Sequence, residues 1–146
     1  METTRRPASQ DDKPFVRGVN RQAYEELIVR LYGEWDERAQ DSYFDQKWER
    51  ADFEVVEVAG ERIGAIWTTE DGDHLRLHEI FLLPDWQGRG IGSGLVKQEL
   101  ATARRLGKPL RLSVLRGNRA RALYERLGFA VTEETETKVW MEARPT

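Results

Sequence analysis

The chain has 146 residues, with 23 Lys and Arg against 26 Asp and Glu, a formal net charge of −3. That length suits one ordinary domain with its own core, and the acidic balance supplies no bulk basic field for nucleic acid. Cysteine is absent, which excludes disulfides, thiolate chemistry and Cys-ligated zinc; no run reaches the roughly 18 apolar residues of a membrane span, and METTRRPASQDD lacks the apolar segment of a signal peptide.

A cytoplasmic globular protein is therefore expected, as a single domain over residues 1–146. Residues 3–7 suit a short edge strand. Ser9 with Asp12 resembles a helix start in which Asp replaces the usual Glu or Gln. Phe15, Val16, Val19, Tyr24, Leu27, Ile28 and Leu31 recur at helical spacing, and Gly33 offers a stop. A second segment, about 35–48, reads as helical or irregular. FEVVEV at 53–58 is rich in β-branched residues; Ala59-Gly60 makes a turn, and 63–69 returns as the hairpin partner. Asp71-Gly72 is a strong turn dipeptide, beside which His74 is expected to be solvated. The longest strand, 75–83, closes at Pro84. A helix over about 90–106 carries Ile91, Leu95, Val96, Leu100 and Ala103 on one face. Arg104 and Arg105 suit its C-terminal dipole, Gly107 its cap, and Pro109 prevents continuation. A strand at 110–115, a helix at 119–127 capped by Gly128, and strands near 130–133 and 137–142 follow.

Helices, an antiparallel meander, then strand–helix–strand–helix–strands argue for an α/β or α+β domain with a mixed sheet. Strands 75–83 and 110–115, joined by the helix from residue 90, should form a right-handed parallel crossover.

LLPDWQGRGIGSG, residues 82–94, places glycines at 88, 90, 92 and 94, between a strand and a helix N-terminus. Such a junction presents unpaired backbone N–H groups and the positive end of a helix dipole. It reads as an anion site, above all for phosphate; the blander reading is a glycine turn that lets helix and strand pack. A dinucleotide fingerprint needs G-x-G-x-x-G, but Ser93 and Leu95 stand at the third glycine's place. From this loop onward no lysine stands before Lys97, so a Walker A loop fails as well.

Gln87-Gly88-Arg89-Gly90-Ile91-Gly92 matches the Q/R-x-x-G-x-G/A signature of the GNAT N-acetyltransferase superfamily, which the chain resembles. IFLLPDWQGRGIG before it, with Leu82 at the place of a family valine, and NRARALYERLGF at 118–129 after it also resemble that family. The resemblance implies a mixed, mostly antiparallel sheet of six or seven strands flanked by about four helices. It implies acetyl-CoA as co-substrate, its diphosphate on the amides of Gly88, Arg89, Gly90, Ile91, Gly92 and Ser93 beside Gln87. The backbone of Ile80, Phe81 and Leu82 would pair with the pantetheine arm as with an added strand.

Acetyl transfer needs a neutral amine, a donor for the oxyanion and a proton for the departing thiolate. Tyr124 matches the family tyrosine that resembles a general acid; the alternative is an aromatic filling the core. Asn118 lies six residues before Tyr124, one short of a common family spacing, and is a further candidate for coenzyme A contact. The N–H of Leu82 is the expected oxyanion donor. Glu79 is the candidate base, acting through water, because a carboxylate in an apolar strand is costly unless paired or used. The alternative is that it pairs with an arginine or orients substrate. His78 should point to the opposite face. Ser113 stands where some relatives that acetylate protein N-termini carry a glutamate, so no base is expected there.

Between Glu34 and Glu54 stand eight acids and three bases, with Trp35, Tyr43 and Trp48 interleaved. Trp35 and Asp36 are candidates for an acidic, aromatic-lined mouth for a cationic amine; a solvated helix face is the alternative. No metal constellation is visible with two histidines and no cysteine. The expected partner is a small-molecule or peptide amine, with no nucleic acid or membrane. Dimers are common among proteins that this one resembles, so a homodimer stays open. Two rivals remain: a non-catalytic acyl-CoA-binding module and a nucleotide-phosphate protein.

Overall fold

Local signals set where each element begins and ends. In the computed structural model, which describes residues 2–145, β1 is Thr3–Pro7, α1 Lys13–Tyr32, α2 Glu37–Arg50, β2 Glu54–Val58, β3 Glu61–Asp71 and β4 His74–Leu82. Then follow α3 Ile91–Leu106, β5 Leu110–Leu115, α4 Ala120–Arg126, β6 Ala130–Glu134 and β7 Lys138–Ala143. The seven strands take the order β1-β2-β3-β4-β5-β7-β6. β4 and β5 run parallel, while β1–β2, β2–β3, β5–β7 and β6–β7 are antiparallel. Seven strands and four helices match the expected architecture.

α1 stops at Gly33, whose φ of 90° is left-handed and whose N–H reaches the Val29 carbonyl at 2.8 Å. α2 is a regular helix: Asp36 caps it, its carboxylate accepting the Ala39 N–H at 3.1 Å. β3 starts earlier than expected, at Glu61. Ala59 and Gly60 both have positive φ, 52° and 82°, a two-residue turn whose twist lets pairing resume at once.

The chain divides into two compact units. The first comprises residues up to Trp67 together with Glu79–Arg89. Val16, Val19, Phe44, Phe53, Ala65, Trp67 and Phe81 form its buried core. The Phe53 ring lies 5.8 Å from Trp48, 5.7 Å from Trp67 and 6.1 Å from Phe81. Each such buried side chain contributes about 1.5–3 kcal/mol through burial. A buried acid ties down the N-terminus. Asp12 accepts Arg6 at 2.8 and 3.0 Å, the Ser9 N–H at 2.9 Å and Arg62 at 3.3 Å. The Arg6 guanidinium holds this carboxyl well below the usual carboxylate range, against the opposing effect of burial.

β3 and β4 meet closely in this unit. Between Val56 and Glu57 the β2–β3 register shifts, leaving Ile63 as an extra residue on β3. The Ile63 carbonyl accepts the Leu83 N–H at 2.8 Å. At Gly64 a Cβ would stand 2.1 Å from the Phe81 carbonyl oxygen and 2.9 Å from Leu82 Cδ2. Only glycine admits the β4 backbone at that distance.

The second unit is Thr68–His78 with residues from Gly90 onward. β4 pairs with β5 here at Leu75↔Leu110 and Arg76↔Arg111 only, although β5 continues to Leu115. Ile91, Leu95, Val96 and Ala103 of α3 are buried, as are Leu110 and Leu112 of β5 and Val139, Met141 and Ala143 of β7. The alternate residues Arg111, Ser113, Trp140 and Glu142 point to the other face and are half-buried.

Candidate active site

Ile80, Phe81 and Leu82 end β4, and the first glycine of the loop, Gly88, follows six residues on. Phe81 is in the core; Ile80 and Leu82 are half-buried. Pro84–Trp86 makes a 3₁₀ turn, with the Trp86 N–H on the Leu83 carbonyl at 2.9 Å. The Gln87 side-chain amide then reaches back and donates to the Leu82 carbonyl at 2.9 Å. The Arg89 guanidinium lies over the Trp86 ring, 4.7 Å from its centroid.

Gly88 and Gly90 have φ of 73° and 82°, a conformation that disfavours any side chain, and a Cβ at either would meet nothing within 4 Å. Gly90 caps α3, and the first helical bond is Gly94 N–H to the Gly90 carbonyl at 3.0 Å. The N–H groups of Ile91, Gly92 and Ser93 precede that bond, and no side chain caps the helix. Uncapped amides behind two left-handed glycines, at the positive end of a 16-residue helix, fit a diphosphate.

Glu79 sits in the first unit at the centre of a polar cluster that sequence reading did not assemble. Its Oε2 accepts the Tyr24 hydroxyl at 2.9 Å, and its Oε1 accepts Lys47 Nζ at 2.5 Å. The Glu79 side chain is only 13% exposed, so water screens this pair weakly. Lys47 Nζ also lies 5.8 Å from the Phe81 ring centroid, and the Tyr24 ring meets Phe81 edge-on at 5.6 Å. Where the alternative reading of Glu79 named an arginine partner, the structure has a lysine. The available signal was a carboxylate in an apolar strand, which demands a cation or donor somewhere; nothing local says which.

Trp35 and Asp36 lie at the turn between α1 and α2. Asp36 is engaged as the α2 cap. Trp35 lies under the Arg21 guanidinium at 5.4 Å, and its indole N–H is buried with no hydrogen-bond partner. Arg21 is also held by Glu25 at 2.9 Å and Glu37 at 2.8 Å. A cation of the chain itself therefore already lies against this aromatic, acid-rich turn.

Tyr124 and Asn118 belong to the second unit. Tyr124 is 5% exposed, and its ring meets Phe129 edge-on at 5.5 Å. That contact closes the end of α4: Phe129 N–H reaches the Tyr124 carbonyl at 3.0 Å, Gly128 N–H reaches Glu125 at 3.1 Å, and Gly128 has φ of 101°. Asn118 opens the same helix, its Oδ1 accepting the Ala120 N–H at 2.9 Å. His78 meets Thr69 Oγ1 through Nε2 at 2.8 Å. His74 is not solvated: its side chain is 16% exposed and lies 2.8 Å from Asp73 and 3.4 Å from Arg111. β4 starts at His74, which seats the ring on the sheet rather than in the turn. No group of three or more metal-ligating side chains is gathered among the described residues, and no helix among them is long and apolar enough to cross a membrane.

Comparison with known proteins gives a consistent picture. Residues 49–131 match the model of the acetyltransferase (GNAT) domain. An uncharacterized N-acetyltransferase of Methanocaldococcus jannaschii is 31% identical over 136 residues, covering 86% of this chain and 55% of the relative. The thialysine N-epsilon-acetyltransferase of Mus musculus is 30% identical over 103 residues, covering 62% of this chain and 59% of the relative. The chain thus spans between half and two thirds of the length of these curated relatives. In fold it is similar to the PaiA N-acetyltransferase of Thermoplasma acidophilum, solved in complex with coenzyme A, with a TM-score of 0.79, 20% identity and 99% of each chain covered.

Proposed function

The chain belongs to the GNAT acetyltransferase family, and from that premise we propose that it is an acetyl-CoA-dependent N-acetyltransferase acting on a primary amine by direct attack in a ternary complex. The observation that carries this reading is the start of α3, where the amides of Ile91, Gly92 and Ser93 stand uncapped behind Gly88 and Gly90. Acetyl-CoA supplies an activated acetyl thioester when bound. The amides from Gly88 to Ser93 hold its diphosphate, and Asn118 contributes a further contact. Gln87 acts through its bond to Leu82, which fixes the loop against the strand end. The backbone of Ile80, Phe81 and Leu82 receives the amide-bearing arm.

The Leu82 N–H donates to the oxygen on which negative charge develops. The Tyr124 hydroxyl gives its proton to the departing thiolate. Glu79 accepts the proton of the incoming ammonium through a water. Each of its oxygens accepts one bond in the cluster and keeps a further lone pair. Trp35 and Asp36 meet the cationic end of the acceptor. One relative is named for acetylating the ε-nitrogen of thialysine, which accords with an amine acceptor.

The Lys47–Glu79 ion pair favours a second reading of Glu79 alone, as a structural counter-ion. Thiol release from acetyl-CoA over a panel of amines tests the proposal. Tyr124→Phe should lower kcat by on the order of 10²-fold with acetyl-CoA binding retained. A wild-type chain that binds acetyl-CoA and releases thiol with no amine would instead be the acyl-CoA-binding module. For Glu79→Gln, loss of the acidic limb of the pH–rate profile identifies the base; an unchanged profile with a lower Tm identifies the counter-ion.

A further inference from the structure

The second unit carries a cationic cluster with too few carboxylates to match it. Arg76 and Arg111 are neighbours in the β4–β5 register, so their side chains leave the same face of the sheet. Like charges placed side by side across a ladder are unfavourable. Arg111 is neutralised by Glu142, Nε to Oε2 at 2.8 Å. Arg76 makes no ion pair among the described residues. Its guanidinium instead lies over the Trp140 ring, 5.0 Å from the centroid. Lys138 Nζ lies 5.6 Å from the same centroid, also without an ion pair among the described residues.

Ser113 stands directly opposite Trp140 in the β5–β7 register, two residue pairs along from Arg111↔Glu142 and so on the same face. Its small hydroxyl side chain leaves the same face of the sheet as Arg111 and Trp140. Arg76, Ser113 and Trp140 are all half-buried. β4 has neighbours on both sides in the strand order, so Arg76 is not on an edge from which a long side chain escapes to water. A half-buried guanidinium without a carboxylate is costly to hold. Its planar fork matches a carboxylate with two parallel N–H bonds.

We propose that Arg76, with Ser113, Trp140 and Lys138, forms a subsite for the carboxylate of a small molecule whose stem lies along the Trp140 ring. The assignment stands apart from the acetyl transfer proposed above and names a ligand class of its own: a small molecule that bears a carboxylate, of the amino-acid type. The guanidinium takes the carboxylate, Ser113 donates to its second lone pairs, and the indole covers the carbon chain.

Three matched pairs of probes differ by one carboxylate each: lysine and cadaverine, ornithine and putrescine, phenylalanine and phenethylamine. Titration calorimetry on the full chain with coenzyme A present should show at least one carboxylated member binding about tenfold or more tighter than its partner, the scale of charge-assisted hydrogen bonds. Arg76→Gln should abolish that preference and leave coenzyme A affinity unchanged. Ser113→Asp should abolish it independently, by giving Arg76 a carboxylate of the chain itself. Equal binding within every pair, no binding of any probe, or a preference that survives both variants would overturn the subsite. Thiol release with the same probes separates the two proposals. A carboxylate preference in binding without turnover of any amine leaves the subsite standing and removes acetyl transfer. Turnover of bare amines together with equal binding within every pair does the reverse.

Discussion

The acid-rich stretch around α2 and the half-buried face of β4, β5 and β7 handle charge in opposite ways. Around α2, cations supplied by the chain itself meet the acids: Arg21 holds Glu37 at 2.8 Å, Lys13 and Arg17 hold Asp45 at 3.1 and 2.9 Å, and Lys47 lies on Glu79. The Asp45 carboxyl is held below its ordinary range by Lys13 and then Arg17. On the β4–β5–β7 face, Arg76 and Lys138 share an indole and make no ion pair among the described residues. Sequence composition suggests the contrary, since the conspicuous run of acids in residues 34–54 looks like the place that awaits a cation.

The contrast predicts where charge removal hurts. Lys47→Met leaves the Glu79 carboxylate, 13% exposed, without its cation, and should cost about 2–4 kcal/mol in urea denaturation. Lys47→Met combined with Glu79→Leu should recover most of that loss; no recovery would mean that Lys47 acts through packing on Phe81 and Tyr24. Gly64→Ala tests the neutral part of the same unit. Its Cβ would press on the Phe81 carbonyl, and the cost should be about 1–3 kcal/mol. Because Phe81 and Leu82 must move, acetyl-CoA affinity should fall with it.

A smaller effect is expected from acid. The Asp12 carboxyl is lowered in the folded chain, so its stabilisation is complete above the unfolded value, near ~4, and is lost as pH falls below it. Tm should therefore drop on acidification below about pH 4 in the wild type and less steeply in Asp12→Asn, which starts from a lower Tm. The smallest effect is on the other side of the contrast. Arg76→Gln removes a charge with no ion pair among the described residues and should change stability by no more than about 0.5 kcal/mol. A loss as large as that of Lys47→Met would show that Arg76 is held by contacts of structural weight.

Much of this was legible from the chain alone where the cause is local. Gly33, Gly107 and Gly128 marked the helix ends, and all three adopt left-handed backbone. The glycine spacing at 88–94 pointed to the start of α3, which no side chain caps. α2 was harder to read, because its polar surface hides the periodicity and its cap, Asp36, also looked like a site carboxylate. Asn118 posed the same ambiguity, since Asn is both a helix-capping residue and a ligand-binding one. The partners of Glu79 were illegible for another reason. Tyr24 and Lys47 lie 55 and 32 residues away in the chain, and only tertiary packing brings them to it. Arg76 was passed over because one arginine in a strand has no local signature; its meaning comes from Arg111, Ser113 and Trp140 on neighbouring strands.

The bond from Gln87 to the Leu82 carbonyl has a consequence for how β4 is kept in place. Strand alternation makes a slip of one residue exchange the two faces, so that Ile80 would stand where Glu79 meets Lys47. Two pins oppose such a slip from different directions. Gly64 on β3 accepts the Phe81 carbonyl and no side chain in its place, and Gln87, beyond the strand, grips the next carbonyl along. The alignment of β4 is thus written partly outside β4, in a glycine of its neighbour and in the first residue of the glycine-rich signature.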